Sequence, residues 1–324
     1  MNNINYVKNL VQKYHPQLPV EELIVEINKI YHKFEANMYD RNHPEIYEQL
    51  PPIWKEMIEK ISSYLQAKAL HILDFGCGTG FASQQLLRNI SPTSIAGLTC
   101  YDPSPEMVEK CREKISPLFP NAVFCSSLEE ESISSHAPYT LLLTNSVLHH
   151  LPDTITIINN LLPLLDSHAI WLAGHEPSQR FYNNSACVKN LEAYLRRNRW
   201  SPSRYTQFLK SIIQGKRSPY RKTAQEAVRM GLLKRPPSVC VIDRLVDFQV
   251  AHSTQEMSMG RGFDFSVMEQ DLEASWKLVW LKTYSFMGPI YEGNLKGNWA
   301  RSCRNLAEHF PDDGANFCAV WQRV

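Results

Sequence analysis

Between His71 and Glu176 short apolar runs alternate with helix-like stretches, and this alternation constrains the fold more than any other feature of the chain. The runs are HILDF, SIAGLTCYD, AVFCS, YTLLLTN and AIWLAGH, and the stretches between them include FASQQLLRNI, PEMVEKCREKI and TITIINNLLPLL. Runs that are apolar on both faces read as parallel strands covered on both sides, and parallel strands need crossover connections. Right-handed crossovers give a doubly wound sheet. The fold class expected is therefore α/β: a Rossmann-like sheet, mostly parallel with an antiparallel last strand, plus helical caps.

The flanks set the expected boundaries. Residues 1–66 read as an N-terminal helical cap. Val7, Leu10, Val11 and Tyr14 share one helical face, Leu23, Ile27, Ile30 and Phe34 a second, and Trp54, Met57, Ile58, Ile61 and Leu65 a third. Pro51 and Pro52 suit the start of that third helix, where a proline sacrifices no intrahelical bond. The alternation stops after Glu176, so 177–265 reads as a helical lid inserted into a core of 67–176 and 266–324. The runs WKLVWLKTYSF and NFCAVWQRV are its closing strands.

The most informative residues are LDFGCGTG, from Leu73 to Gly80. A strand ending at Asp74 leads through Gly76, Gly78 and Gly80 into a helix near Phe81, a turn in which a ligand can lie directly against main-chain atoms. A dinucleotide fingerprint would need glycine at 81 and a phosphate-binding loop would need G-K-[ST]; neither is present. The loop suits a ligand with no pyrophosphate. The next strand ends in Asp102, where a carboxylate is placed to accept hydrogen bonds from two ribose hydroxyls.

With these residues in place, 70–176 resembles the core of the class I S-adenosylmethionine-dependent methyltransferases, especially the small-molecule group related to the ubiquinone-biosynthesis enzymes. The resemblance implies S-adenosylmethionine as cofactor and S-adenosylhomocysteine as product. It implies that Gly76, Cys77, Gly78 and Gly80 hold the methionine part, that Asp74 lies near the ligand's amino group, and that Asp102, with Pro103 after it, holds the ribose. The stretch TNSVLHHLPD is similar to the family's fourth-strand motif and puts Asn145 and Ser146 beside the cofactor. Where the family usually carries an acid for the adenine amino group this chain has Ser127, leaving that contact to Ser127, the Leu128 backbone or Glu129. Related enzymes often close an N-terminal segment with a tyrosine over the cofactor, which points to Tyr39.

Methyl transfer from a sulfonium is an in-line displacement, so alignment supplies most of the acceleration and a base is needed only for a protonated acceptor. His149 and His150 follow strand four on the ligand-bearing rim, and Glu176 follows strand five; these are the candidate catalytic residues, with His150 slightly preferred. Packing of the histidines under the cofactor loop, and a capping role for Glu176, are the structural alternatives. A metal-dependent catechol-type site would need an aspartate where Asn145 stands, so no metal is expected.

The net charge of +1 predicts no affinity for nucleic acid or membrane from bulk charge. Twelve lysines and arginines do gather between Arg196 and Arg235, however, with Glu226 the only acid among them. An anionic small acceptor, an RNA stacked on Trp200, Tyr205 and Tyr220, and a merely solvated helical face all remain readings of that patch. The function expected is O- or N-methylation of a small organic acceptor. An RNA or protein methyltransferase is the rival enzyme, and a cofactor-binding regulator without transferase activity the rival class. Eight scattered cysteines without a C-x-x-C pair, no secretory h-region and no run of 18 apolar residues lead to an expected cytoplasmic location.

Overall fold

The computed structural model describes residues 3–67, 69–129, 133–134, 136–198, 218–248, 262–272, 274–288 and 290–324. Its helices are α1 (Asn3–Gln12), α2 (Val20–Glu35), α3 (Tyr39–Asn42), α4 (Pro44–Lys60), α5 (Ser62–Ala67), α6 (Phe81–Asn89), α7 (Pro105–Ile115), α8 (Thr154–Asn160), α9 (Arg180–Asn183), α10 (Ser185–Arg197), α11 (Pro219–Arg229), α12 (Val239–Val246), α13 (Phe265–Leu272) and α14 (Asn298–His309). The strands are β1 (Leu70–Phe75), β2 (Ile95–Tyr101), β3 (Val123–Cys125), β4 (Tyr139–Asn145), β5 (Leu165–Pro177), β6 (Trp276–Tyr284) and β7 (Asn316–Arg323). They form one sheet in the order β3-β2-β1-β4-β5-β7-β6. Pairings among β1 to β5 are parallel, and the sheet as a whole is mostly parallel with an antiparallel pair. The Rossmann-like class read from the alternation is the observed one.

Contacts divide the chain into two compact units. One comprises 35–176, 265–282 and 317–324; the other comprises 1–34, 177–264 and 283–316. Residues 35–66, read above with the N-terminal cap, thus group with the sheet, and 283–316 group with the insertion. In the sheet unit the strands are buried almost without interruption; Leu141, Leu142 and Leu143 on β4 are all fully buried. Trp171 on β5 stacks 6.0 Å from Trp321 on β7 and meets Trp276 on β6 edge-on at 5.6 Å. Aromatic pairs of this kind contribute about 0.5–1.5 kcal/mol each beyond their buried area.

One local expectation is corrected. Trp54, Met57 and Ile58 of the third helical face belong to α4, which starts at Pro44, carries Pro51 and Pro52 in its interior and is capped by Ile61, while Leu65 lies on α5. Each interior proline lacks an N–H and crowds the carbonyl four residues back, at a cost of about 3 kcal/mol. Ile46, Leu50, Ile53, Trp54, Met57 and Ile58 are buried along the helix, and burying such side chains yields about 1.5–3 kcal/mol apiece. Tertiary packing outweighs local propensity here.

In the second unit the first two helical faces meet the insertion. Val7, Val11, Leu23, Ile24 and Ile27 pack with Ala224, Ala227, Ile242 and Leu245 of α11 and α12 in one apolar cluster. Among the described residues no helix is long and apolar enough to cross a membrane.

Candidate active site

The strand order reverses between β1 and β4, and the expected ligand residues collect outside the C-terminal ends of β1, β2 and β4 at this switch point. After β1, Gly76, Gly78 and Gly80 take φ values of +71°, +50° and +86°. A Cβ at Gly76 would stand 2.5 Å from Val147 Cγ2, whereas one at Gly78 would meet nothing within 4 Å. The loop is therefore packed on one side and open on the other. The Cys77 N–H donates to the Tyr101 carbonyl at 2.8 Å and the Gly80 N–H to the Cys77 carbonyl at 2.7 Å. The Cys77 thiol itself is buried among Cys100 and Cys111, so this residue can offer a ligand only its main chain.

Asp102 is buried and accepts from the Gly78 N–H at 3.0 Å and from the Ser104 N–H at 2.9 Å. Burial pushes its carboxyl up to about 6, against the pull of those two donors. One carboxylate thus links the glycine loop to the start of α7. Pro103 lies between it and Ser104, the α7 cap whose hydroxyl accepts from the Met107 N–H. Asp74 is 1% exposed. Its Oδ2 accepts from the Ser83 N–H at 3.2 Å and the Ser83 hydroxyl at 2.5 Å, while its Oδ1 is buried with no hydrogen-bond partner among the described residues. Burial, with Cys100 adding to it, pushes this carboxyl up to about 8.

At the end of β4 the Asn145 side chain is already engaged. Its Oδ1 accepts from the Trp54 indole at 3.1 Å, and both groups press on Gly174, where a Cβ would stand 2.5 Å from Asn145 Oδ1. Ser146 has φ +59° and donates its N–H to the Gly174 carbonyl. Its side chain is hydrogen-bonded with the Tyr39 phenol, which burial, followed by the nearby Glu35 carboxylate, holds well above its ordinary range. Tyr39 therefore reaches the β4 loop. Ser127 and Leu128, after β3, are exposed, and the Ser127 hydroxyl oxygen accepts from the Glu129 N–H at 3.2 Å.

Glu176 is fully buried, and four donors reach it. Oε1 accepts from the Val147 and Leu148 N–H groups at 2.8 and 2.9 Å; Oε2 accepts from the His149 N–H at 3.2 Å and lies 2.8 Å from His149 Nδ1. It closes the short turn Leu148–His150 and orients one imidazole. The His150 ring lies 4.1 Å from that of His149. His175, with φ +56°, is held down at about 4 by burial and then by the neighbouring His149.

Sequence reasoning missed a second group. His43 lies 3.4 Å from the Glu35 carboxylate and 3.1 Å from that of Glu45. Burial alone would lower it, but these two partners raise it to about 9. Nothing in local spacing marks Glu35, His43 and Glu45 as neighbours of the β4 and β5 ends.

Part of the basic stretch is neutralised within its own unit. Glu226 pairs with Arg229 at 2.7 Å and Lys33 at 3.7 Å, Arg235 donates to the Lys13 carbonyl, and Lys222 sits 5.4 Å from the centre of the Phe34 ring. Tyr220 packs on Tyr31 at 4.7 Å. Arg199, Trp200, Arg204, Tyr205, Lys210, Lys216 and Arg217 lie outside the described residues.

Residues 73–170 match the family described as "Methyltransferase domain". Two curated relatives are similar over 37% of the chain. The malonyl-[acyl-carrier protein] O-methyltransferase 1 of Ilyobacter polytropus is 31% identical over 122 residues, 37% of this chain and 44% of the relative. The malonyl-[acyl-carrier protein] O-methyltransferase of Priestia megaterium is 27% identical over 124 residues, 37% and 43% respectively. The chain spans less than half the length of these relatives. Among solved structures, the plantazolicin methyltransferase BpumL in complex with S-adenosylhomocysteine aligns with a TM-score of 0.46 at 16% identity, covering 97% of this chain and 99% of that one. Magnesium protoporphyrin IX methyltransferase from Synechocystis aligns at 0.43 and 12%, covering 87% and 86%. The segment 73–170 thus matches a methyltransferase domain, in keeping with the class I S-adenosylmethionine-dependent methyltransferase superfamily.

Proposed function

We propose that the protein transfers the methyl group of S-adenosylmethionine to oxygen or nitrogen of a small organic acceptor. The observation that carries this reading is the pairing of an open main-chain face at Gly78 with a partnerless carboxylate oxygen on Asp74. A ligand laid against the loop would meet the open face, and an ammonium reaching Asp74 would give Oδ1 the donor it lacks. The rest of the cradle agrees: Asp102, each oxygen holding one backbone donor, keeps acceptor capacity for ribose hydroxyls.

When bound, S-adenosylmethionine would supply a methyl group on a positively charged sulfur, an electrophile that needs alignment more than activation. Gly76, Gly78 and Gly80 orient the amino-acid end, Asp102 and Pro103 the ribose, and Ser127 or the Leu128 main chain the adenine. Asn145 and Ser146 contribute through their backbone, and Tyr39 closes the site from the N-terminal side. For a protonated acceptor, His150 and His149 are the candidate bases. Glu176 engages His149 Nδ1 at 2.8 Å and so fixes the orientation of that ring. Glu176 then acts as orienting group and cap.

The test is calorimetry with S-adenosylhomocysteine, followed by labelled-methyl transfer into cell metabolite and RNA fractions. Binding together with label in the metabolite fraction is expected. Label confined to RNA overturns the acceptor class, and absence of binding by folded protein overturns the reading as a whole.

A further inference from the structure

A polar cluster outside the expected site ties the segment 39–47 to the glycine loop. The Asp40 carboxylate accepts from the Tyr47 hydroxyl at 2.6 Å, the Thr79 hydroxyl at 2.6 Å and the Lys114 ammonium at 2.7 Å. Lys114 donates further to the Tyr47 and Thr79 oxygens at 2.9 and 3.2 Å. Isolated surface ion pairs contribute little, but here one ammonium and two hydroxyls converge on a single carboxylate and the Lys114 side chain is only 19% exposed. Burial works against the Asp40 charge, yet the three donors hold its carboxyl below the ordinary range.

The members come from three places that matter for a ligand. Thr79 lies inside G-C-G-T-G, between Gly78 and Gly80. Lys114 ends α7, the helix whose first turn is tied to Asp102. Asp40 and Tyr47 flank His43, and Asp40 directly follows Tyr39, whose phenol meets Ser146. The Tyr47 ring also packs edge-on against Phe81, the first residue of α6, at 5.3 Å. The segment therefore bears on the glycine loop through Asp40 and Tyr47 and on the β4 loop through Tyr39.

We infer that Asp40, Tyr47, Thr79 and Lys114 form a clasp that couples docking of the 39–47 segment to occupancy of the glycine loop, with Lys114 as its positioning residue. The inference rests on the cofactor reading above. Its reasoning is linkage: if Thr79 meets Asp40 only in the loop geometry that accepts the ligand, then ligand binding tightens the segment and a docked segment strengthens ligand binding by the same free energy.

The experiment measures S-adenosylhomocysteine release by stopped-flow, with affinity by calorimetry and melting of the ligand-free protein alongside. Lys114→Met should release the ligand about tenfold faster and bind it correspondingly more weakly, and Lys114→Arg should restore most of the difference. KM for S-adenosylmethionine should rise in Lys114→Met while kcat falls by a smaller factor. Asp40→Asn should reproduce the effect from the other side of the pair, and it carries the test should Lys114→Met melt far below the parent. Unchanged release from both variants, with normal binding by the parent protein, overturns the clasp alone. Failure of the parent to bind removes the cofactor reading and the clasp with it.

Discussion

Asp74 makes ligand affinity depend on pH in a direction that can be worked out. Its carboxyl is pushed up to about 8 in the folded protein because it is fully buried and because Cys100 adds to that, and among the described residues its Oδ1 meets no donor. An ammonium placed against Oδ1 needs the carboxylate, so binding must remove the proton. At pH 7 the group is one unit below its midpoint and roughly a tenth ionised, which weakens binding about tenfold relative to pH well above 8. At pH 6 the penalty is about a hundredfold. Between pH 6.0 and 7.5 the logarithm of the affinity for S-adenosylhomocysteine should therefore rise by nearly one per pH unit, with about one proton released per ligand at pH 6.5. Below about 6 the slope should steepen, since Asp102 must also be ionised to accept from ribose. Calorimetry in buffers of differing ionisation enthalpy measures both quantities. Asp74→Asn should bind weakly with a flat profile over the same window. A flat profile without proton release in the parent protein refutes the assignment of Oδ1 to the ligand's ammonium.

Other perturbations separate ligand contacts from packing. Gly78→Ala adds a methyl to the open face at φ +50°, so it should cost about 1–2 kcal/mol of stability while abolishing ligand binding by calorimetry. Gly174→Ala drives a methyl to within 3 Å of Asn145 and Trp54; a drop in the chemical-denaturation free energy of about 1–3 kcal/mol is expected. Glu176→Gln loses acceptor capacity toward three backbone N–H groups and His149, so stability should fall by about 1–3 kcal/mol; retention of the full parental kcat with an unchanged pH–rate profile would refute the orienting role given to it. His43 has a folded midpoint raised from 6.5 to about 9, so its stabilising contribution is complete below 6.5 and lost as pH rises through 9. Thermal melting of the parent should therefore weaken between pH 7 and 10 more than that of His43→Gln.

The doubly wound sheet was legible because each strand is covered on both faces and so reads as an uninterrupted apolar run; β4 is the clearest case. The glycine loop was legible because its conformational demand is local: three left-handed positions within five residues admit little besides glycine. What stayed hidden depends on distance along the chain. Asp40 and Lys114 are 74 residues apart, and the Asn145–Trp54 hydrogen bond spans 91. Spacing carries no trace of such pairs, so the indole held by the Asn145 oxygen could not be read from the sequence. The prolines of α4 misled for the opposite reason, because a local rule was applied where a buried face of six side chains decides.

The three buried acids of the sheet edge can be told apart by counting donors. Glu176 has two on each oxygen and no acceptor position left, which is the state of a carboxylate holding its own turn together. Asp102 has one backbone donor on each oxygen, so it is held in place yet able to accept two more hydrogen bonds, the number that vicinal hydroxyls offer. Asp74 has both donors on Oδ2 and none on Oδ1. A buried acceptor without a partner costs about 1–3 kcal/mol. Protonation removes the buried charge in the free protein and a ligand's ammonium would supply the donor in the complex, so the raised midpoint and the proposed binding role both stem from burial of this carboxyl. The ordering of these acids from structural to ligand-facing is thus set by where the N–H groups of three loops point, and substitution at Asp74 should disturb binding far more than folding.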